Sequence, residues 1–206
     1  MTTRLIFIRH GQSTWNEARR WQGHADPSLS ENGRRQARLL ARRLSTWHIA
    51  HLYASDLARA SETATILGAS LGIQPAIDPD WRERGFGVLE GLTSEEIEER
   101  YPDVWASRLT GPIIGVSGAE EQADVIARST AACARLLSRH PGETVAVVSH
   151  GGMILTTLVQ LLRLPPSGHA FLSVGGNTSI SRVVVDHGHA RLTGLNDAAH
   201  LELLED

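Results

Sequence analysis

Two apolar runs in this chain end in an imidazole. Leu5–Ile8 stops at Arg9-His10-Gly11, and Val145–Val148 stops at Ser149-His150-Gly151-Gly152. A guanidinium suits phosphate, an imidazole attacks electrophiles or shuttles protons, and a glycine lets backbone or ligand come close. Each run has the apolar content and length of a strand buried on both faces. Such a strand delivers the next few residues to the carboxyl edge of a sheet, where open α/β folds bind their ligands. A strand that merely ends in solvated polar residues looks the same locally. The repeat of His-Gly at two strand ends favours one pocket, provided the two strands are neighbours.

Periodicity and breakers give the scaffold that would hold these residues. Glu31–Leu44 carries Ala37, Leu40, Ala41 and Leu44 between arginines, an amphipathic helix. His51–Ala54 reads as a second strand, with Ser55-Asp56 expected to cap a helix over Leu57–Leu71 that Gly72 stops. Residues 73–92 read as a loop-dominated crossing. Short helices are expected over Ser94–Arg100 and Asp103–Leu109, and the Gly/Pro-rich segment 111–118 closes that excursion. A longer helix is expected over Ala119–Arg139, broken by Pro141-Gly142, and another after Gly152, running to about Leu162. Asn177–Val185 reads as a strand, turning at Asp186-His187-Gly188-His189 into a short final strand. The order β-α-β-α-insert-α-β-α-β-β predicts a three-layer α/β/α fold. Its sheet is mostly parallel with an antiparallel edge strand, in a single domain over 1–206 with a small helical cap insertion at about 92–120.

Composition narrows the partners. The 206 residues carry a net charge of −3 without a basic tail, which argues against broad nucleic-acid binding. All 20 basic residues are Arg, so an anion must be captured by locally placed guanidiniums. Cys133 is the single cysteine, which excludes an internal disulfide and a thiolate cluster; a buried inert thiol is expected. No leader pattern and no apolar stretch long enough for a bilayer is present, so the expectation is a cytoplasmic protein with no membrane partner, monomeric or homodimeric.

The motifs resemble, in order, those of the histidine phosphatase superfamily, the phosphoglycerate mutase-like proteins. Arg9-His10-Gly11-Gln12-Ser13-Thr14-Trp15-Asn16 is similar to R-H-G-(E/Q)-(S/T)-x-x-N, and Gln22-Gly23-His24-Ala25-Asp26 to Q-G-x-x-D. Ser55-Asp56-Leu57-Ala58-Arg59-Ala60 begins a match to S-D-L-x-R-A-x-x-T-A. Glu83 to Gly91 resembles E-x-x-F-G-x-W-E-G, and Ser149 to Gly152 resembles (S/A)-H-G-G. The resemblance implies that His10 is the nucleophile, forming a phosphohistidine. It implies that Arg9, Arg59 and His150 surround the phosphoryl group, and that Glu83 is the general acid and base. Asn16 would donate to the phosphoryl group, and Gln22, Gly23 and Gly151 would line its site. The chemistry asks that His10 be neutral, with one ring nitrogen held by a backbone carbonyl and the other turned to phosphorus. Arg82-Glu83-Arg84 read on its own is equally a solvated charge run, and Glu90 is a second carboxylate nearby.

No metal and no cofactor is expected, since arginines supply the positive charge. His187, His189 and His200 read as unremarkable, and His48, His51 and His140 as surface or capping residues. Trp15, Trp21, Trp81 and Trp105 either fill the core or wall a pocket. Against the mutase pattern, Arg84-Gly85-Phe86-Gly87 stands where mutases carry Arg-His-Tyr-Gly, and residues 92–120 hold only Arg100 and Arg108 as cations. Asp26-Pro27-Ser28-Leu29 and Ala119-Glu120-Glu121 also depart from the family. The resulting expectation is a metal-independent phosphomonoesterase acting on a small phosphorylated metabolite. A phosphoglycerate mutase-type isomerase and a non-catalytic phospho-ligand binding module are the alternatives. The family's substrates include phosphoglycerate and its glycosides, sugar phosphates, nucleotides and α-ribazole phosphate; no motif here selects among them.

Overall fold

The computed structural model describes residues 1–107 and 115–204. Strands β1 (Thr3–Arg9), β2 (His51–Ala54), β3 (Ala76–Ile77), β4 (Thr144–Ser149), β5 (Ile180–Asp186) and β6 (His189–Asp197) form one six-stranded sheet in the order β3-β2-β4-β1-β5-β6. The first four are mutually parallel; β5 runs antiparallel to β1, and β6 antiparallel to β5. The helices are α1 (Thr14–Glu17), α2 (Glu31–Leu44), α3 (Ala58–Leu71), α4 (Ser94–Arg100), α5 (Pro102–Ser107), α6 (Gln122–Arg139) and α7 (Gly151–Leu161).

Alternation along the central strands divides the core in two. Leu5, Phe7, Val145 and Val147 face α6 and α7, packing on Val125, Leu136, Met153 and Leu158. Ile6, Ile8, Ala146 and Val148 face α2 and α3, packing on Leu40, Leu44, Ala64 and Leu67. This is the expected three-layer arrangement. Trp81 lies in the first cluster, so this tryptophan fills the core. Cys133 is buried there too, and burial pushes its thiol up to about 12, which leaves it inert. No helix among the described residues is long and apolar enough to cross a membrane.

Several boundaries differ from the sequence reading. The crossing between α3 and α4 contains β3, a two-residue strand too short to leave a pattern. α6 begins at Gln122 instead of Ala119, since Ala119 bridges Phe86 in extended form. β5 begins at Ile180, because Asn177 and Thr178 are used to bind the His10 carbonyl. The last strand is long, nine residues, entered through a two-residue turn in which His187 and Gly188 both have positive φ (47° and 77°). α5 ends at Ser107; the rest of the expected helix to Leu109, Arg108, and positions 111–114 of the Gly/Pro-rich segment lie outside the described residues. Ser55-Asp56 does not cap α3 in the expected way. The first helical N–H, of Ala58, donates to Asp26 Oδ1 (2.6 Å), a carboxylate from another loop.

One contact ties this frame to the loop after β1. A Cβ on Gly33, in the first turn of α2, would lie 2.0 Å from the Gln12 carbonyl oxygen. Gly33→Ala is therefore expected to destabilise the protein by about 1–3 kcal/mol through overpacking, read by urea unfolding. It should also lower activity, since the displaced backbone is the one that carries His10. Unchanged stability and rate would mean the loop yields freely.

Candidate active site

β1 and β4 pair in parallel with Arg9 opposite Ser149, so the residues after each strand emerge side by side. The His10 N–H donates to the Ser149 carbonyl (2.9 Å), and the two imidazole rings stand 5.1 Å apart. Both are buried. His10 Nδ1 lies 2.7 Å from the Gly11 carbonyl oxygen. A carbonyl only accepts, so Nδ1 carries the proton and Nε2 keeps its lone pair for the cleft that His10 lines. Burial, then Arg59 and Arg9, hold the His10 pKa well below the ordinary histidine value, so the ring is neutral. His150, at the N-cap of α7, is lowered in the same way by burial and by Arg59. Its Nε2 pairs with Ser55 Oγ (2.9 Å), and its Nδ1 is buried without a partner.

Two guanidiniums flank the rings. Arg59, on the first turn of α3, is almost fully buried and donates to the Gly23 and Ala25 carbonyls (2.8 and 2.9 Å). Burial brings its pKa down to about 10, so it remains a cation at neutral pH. Arg9 donates to the Gly175 carbonyl. The Nε of each is buried and has no partner among the described residues. Buried donors without acceptors are uncommon, and several close to one imidazole make an anion cradle.

Glu83 joins them from the segment after Trp81. Its Oε2 accepts from Gly152 N–H in the first turn of α7 (3.0 Å) and its Oε1 from Arg84 N–H (3.0 Å). A Cβ on Gly152 would lie 2.6 Å from Glu83 Oε1, so the second glycine of the His-Gly-Gly run is room for this carboxylate. Behind it, Arg128 of α6 donates to the carbonyls of Asp80, Arg82 and Glu83 and to both Glu120 oxygens. Glu120, in the stretch that departs from the family, thus braces the Glu83 segment; Arg128 more than offsets burial and holds its carboxyl below the usual range.

Asn16 and Gln22 use their carbonyl oxygens internally. Asn16 Oδ1 accepts from Ser13 N–H (3.1 Å) and Asn177 Nδ2 (3.3 Å), and Gln22 Oε1 from Ser13 Oγ (2.7 Å). Their amide N–H groups are the ends offered to the cleft both residues line. Ser13 caps α1, its side chain accepting from Asn16 N–H. Gly23 has φ 53°, and a Cβ there would lie 2.2 Å from Glu90 Oε1. Gly151 lies on the cleft wall at the start of α7.

All nine expected residues therefore lie within one neighbourhood, eight of them lining a cleft of about 420 Å³, with the His150 ring next to that of His10 and tilted 60° to it. Other residues complete the site. Glu90 is spent on the N–H groups of His24, Ala25 and Phe86. Ser55 and Arg128 orient the site, and Trp21 and Phe86, edge to face at 5.1 Å, wall its mouth with Arg20 and Leu172–Gly175. Glu90 and Ser55 sit inside the motifs and were findable there; Arg128 is one arginine among many on an amphipathic helix. His200, far from being idle, is buried against Thr178 Oγ1 (2.9 Å) and Arg43, whereas His187 and His189 are exposed. His140 is buried and caps the C-terminus of α6, its N–H donating to the Leu136 carbonyl, the capping role of its two expected ones.

Comparison with known proteins agrees with this geometry. A mycobacterial glucosyl-3-phosphoglycerate phosphatase superposes with a TM-score of 0.88 at 34% identity, covering 94% of this chain and 98% of its own. A phosphoserine phosphatase from Entamoeba histolytica superposes at 0.83 with 30% identity, over 97% of this chain and 99% of its own. A probable phosphoglycerate mutase GpmB from Yersinia enterocolitica is 33% identical over 211 residues, 97% of this chain and 95% of that protein. Residues 5–198 match the histidine phosphatase superfamily (branch 1), and the chain belongs to that family, with phosphatases as its structural neighbours.

Proposed function

We propose that the cleft hydrolyses a small phosphomonoester, without a metal, through a phosphohistidine on His10. The observation that carries this reading is the His10 ring. It is neutral, its Nδ1 proton is held by the Gly11 carbonyl, and it lines one cleft with the cations Arg9 and Arg59. Nε2 attacks phosphorus while the ester P–O bond breaks, and Glu83 as its carboxylic acid gives its proton to the leaving oxygen. Water then attacks the phosphohistidine, Glu83 takes its proton, the N–P bond breaks, and inorganic phosphate leaves. Arg9, Arg59, His150 and the Asn16 amide hold the phosphoryl oxygens.

An isomerase must keep its phosphohistidine from water and grip a second anionic group. In the described part of residues 92–120 the only cation is Arg100, which is exposed and points to Glu96 (3.8 Å). Arg20 at the mouth is likewise engaged with Glu96 and the Gly91 carbonyl. This favours hydrolysis over the mutase chemistry for which the Yersinia relative is named. The cleft volume suits a metabolite-sized ester. Phosphoserine, 3-phosphoglycerate and glucosyl-3-phosphoglycerate are the first substrates to compare.

Phosphate release from such a panel should persist in EDTA, and His10→Ala should abolish it; full dependence on a divalent metal, or isomer formation in place of phosphate, would overturn the reading. Arg59→Ala is expected to lower kcat/KM by roughly 10²–10³, the loss of one preorganised donor. Glu83→Gln should depress kcat most for esters with poor leaving groups and least for p-nitrophenyl phosphate. Equal losses on both would remove Glu83 from the acid role.

The two buried imidazoles also set a pH dependence. Below the ordinary histidine value of 6.5 the unfolded chain protonates both, while the folded chain keeps them neutral. Stability therefore falls as pH drops below that value, by about 1.4 kcal/mol per pH unit for each ring. Urea unfolding across this range should show a shallower slope for His10→Gln. An unchanged slope would mean His10 is protonated in the folded protein.

A further inference from the structure

We propose that His51, His140 and Glu143 form a binding site for a divalent first-row transition ion, Zn²⁺ being the probe, at the end of the sheet opposite the cleft. His51 Nε2 and His140 Nδ1 both converge on one oxygen, Glu143 Oε2, at 2.9 and 3.2 Å. The three ligand atoms lie within 4.8 Å of one another. Ligands 2.0–2.1 Å from a tetrahedral Zn²⁺ stand about 3.3 Å apart, so little movement is needed for an ion to replace the bridging protons. Two imidazoles and a carboxylate are a donor set that suits such ions, and solvent supplies the remaining position.

The backbone holds the ligands ready. His140-Pro141-Gly142-Glu143 is a tight turn closed by Glu143 N–H to the His140 carbonyl (3.3 Å), with Gly142 at φ 85° in its third place. Thr3 Oγ1 clamps that turn to β1 by accepting from Gly142 N–H (2.9 Å) and donating to the His140 carbonyl (3.3 Å). His51 comes from β2, hydrogen-bonded to β4 just beyond the turn, and its ring stacks on His140 with centroids 3.8 Å apart. The other His140 nitrogen, Nε2, pairs with Tyr53 Oη (2.8 Å), the outer-sphere partner that fixes a ligating ring. The length of β4 separates this cluster from His150, roughly 20 Å at 3.3 Å per residue. The ion would thus pin the β2–β4 end of the sheet and take no part in phosphoryl transfer.

The test is calorimetric titration of chelator-stripped full-length protein with Zn²⁺, paired with thermal unfolding. One equivalent should bind and raise Tm, because it binds the folded chain only. His51→Ala and Glu143→Gln should each weaken binding by about tenfold or more, and Tyr53→Phe by about tenfold. The double variant His187→Ala/His189→Ala, on the exposed hairpin, should bind as the parent does. Glu143→Gln keeps a hydrogen-bonding side chain on an exposed position, so its folding is secure, and its hydrolytic rate should match the parent. Absence of saturable binding in the parent, or binding unchanged in both His51→Ala and Glu143→Gln, would overturn the proposal.

Discussion

Two guanidiniums and two imidazoles are withdrawn from water together, with the Glu83 carboxylate lining the same cleft. Charge of one sign in a place with little water is costly unless acceptors surround it, and the site is built around that cost. The protein meets it with backbone carbonyls. Gly23, Ala25 and Gly175 take guanidinium N–H groups, and Gly11 takes the His10 proton. Both imidazoles stay neutral because a further positive charge there is too expensive. What is left is a cleft lined by two guanidiniums and a neutral imidazole, a lining suited to an anion.

Carbonyls can serve in this way only if their loops are held. The 22–26 loop is fastened from both sides: Glu90 accepts from His24 and Ala25, and Asp26 caps α3, the helix that carries Arg59. The cation and the carbonyls it binds are therefore braced through the same helix end. Glu83 is held by the α7 N-terminus in front and Arg128 behind. Where these parts approach most closely the chain carries glycine, at Gly23 and Gly152, because a Cβ would occupy carboxylate oxygen. The glycines of the motifs are thus as much about fitting Glu90 and Glu83 as about admitting substrate.

The opposite end of the sheet shows how differently the same residue types behave. His51 and His140 lie far from the Arg9–Arg59 pair and share a carboxylate. Their environment favours a bridging cation, whereas that of His10 and His150 favours an anion. The sign of the surrounding charge, and not the imidazole itself, decides which partner is taken.

Much of this was legible in the residues. Periodicity placed α2, α3, α7, β1, β2 and β4 to within a few residues, because burial on one or both faces leaves a direct imprint on side-chain type. The two His-Gly strand ends marked the site, and the motif resemblance marked Arg59 and Glu83. Other things were not legible. Strand order put β4 beside β1, and without that pairing His10 and His150 would never meet. Asp26 rather than Ser55-Asp56 caps α3, Arg128 braces Glu83, and His140 finds His51 across 89 residues of chain, a separation no local pattern spans. The identity of each segment and the chemistry it carries are written in the residues, since both arise from short-range sterics and hydrophobicity. Which segments become neighbours was settled only on folding, because crossovers between strands bring together groups whose interaction is felt only at contact distance.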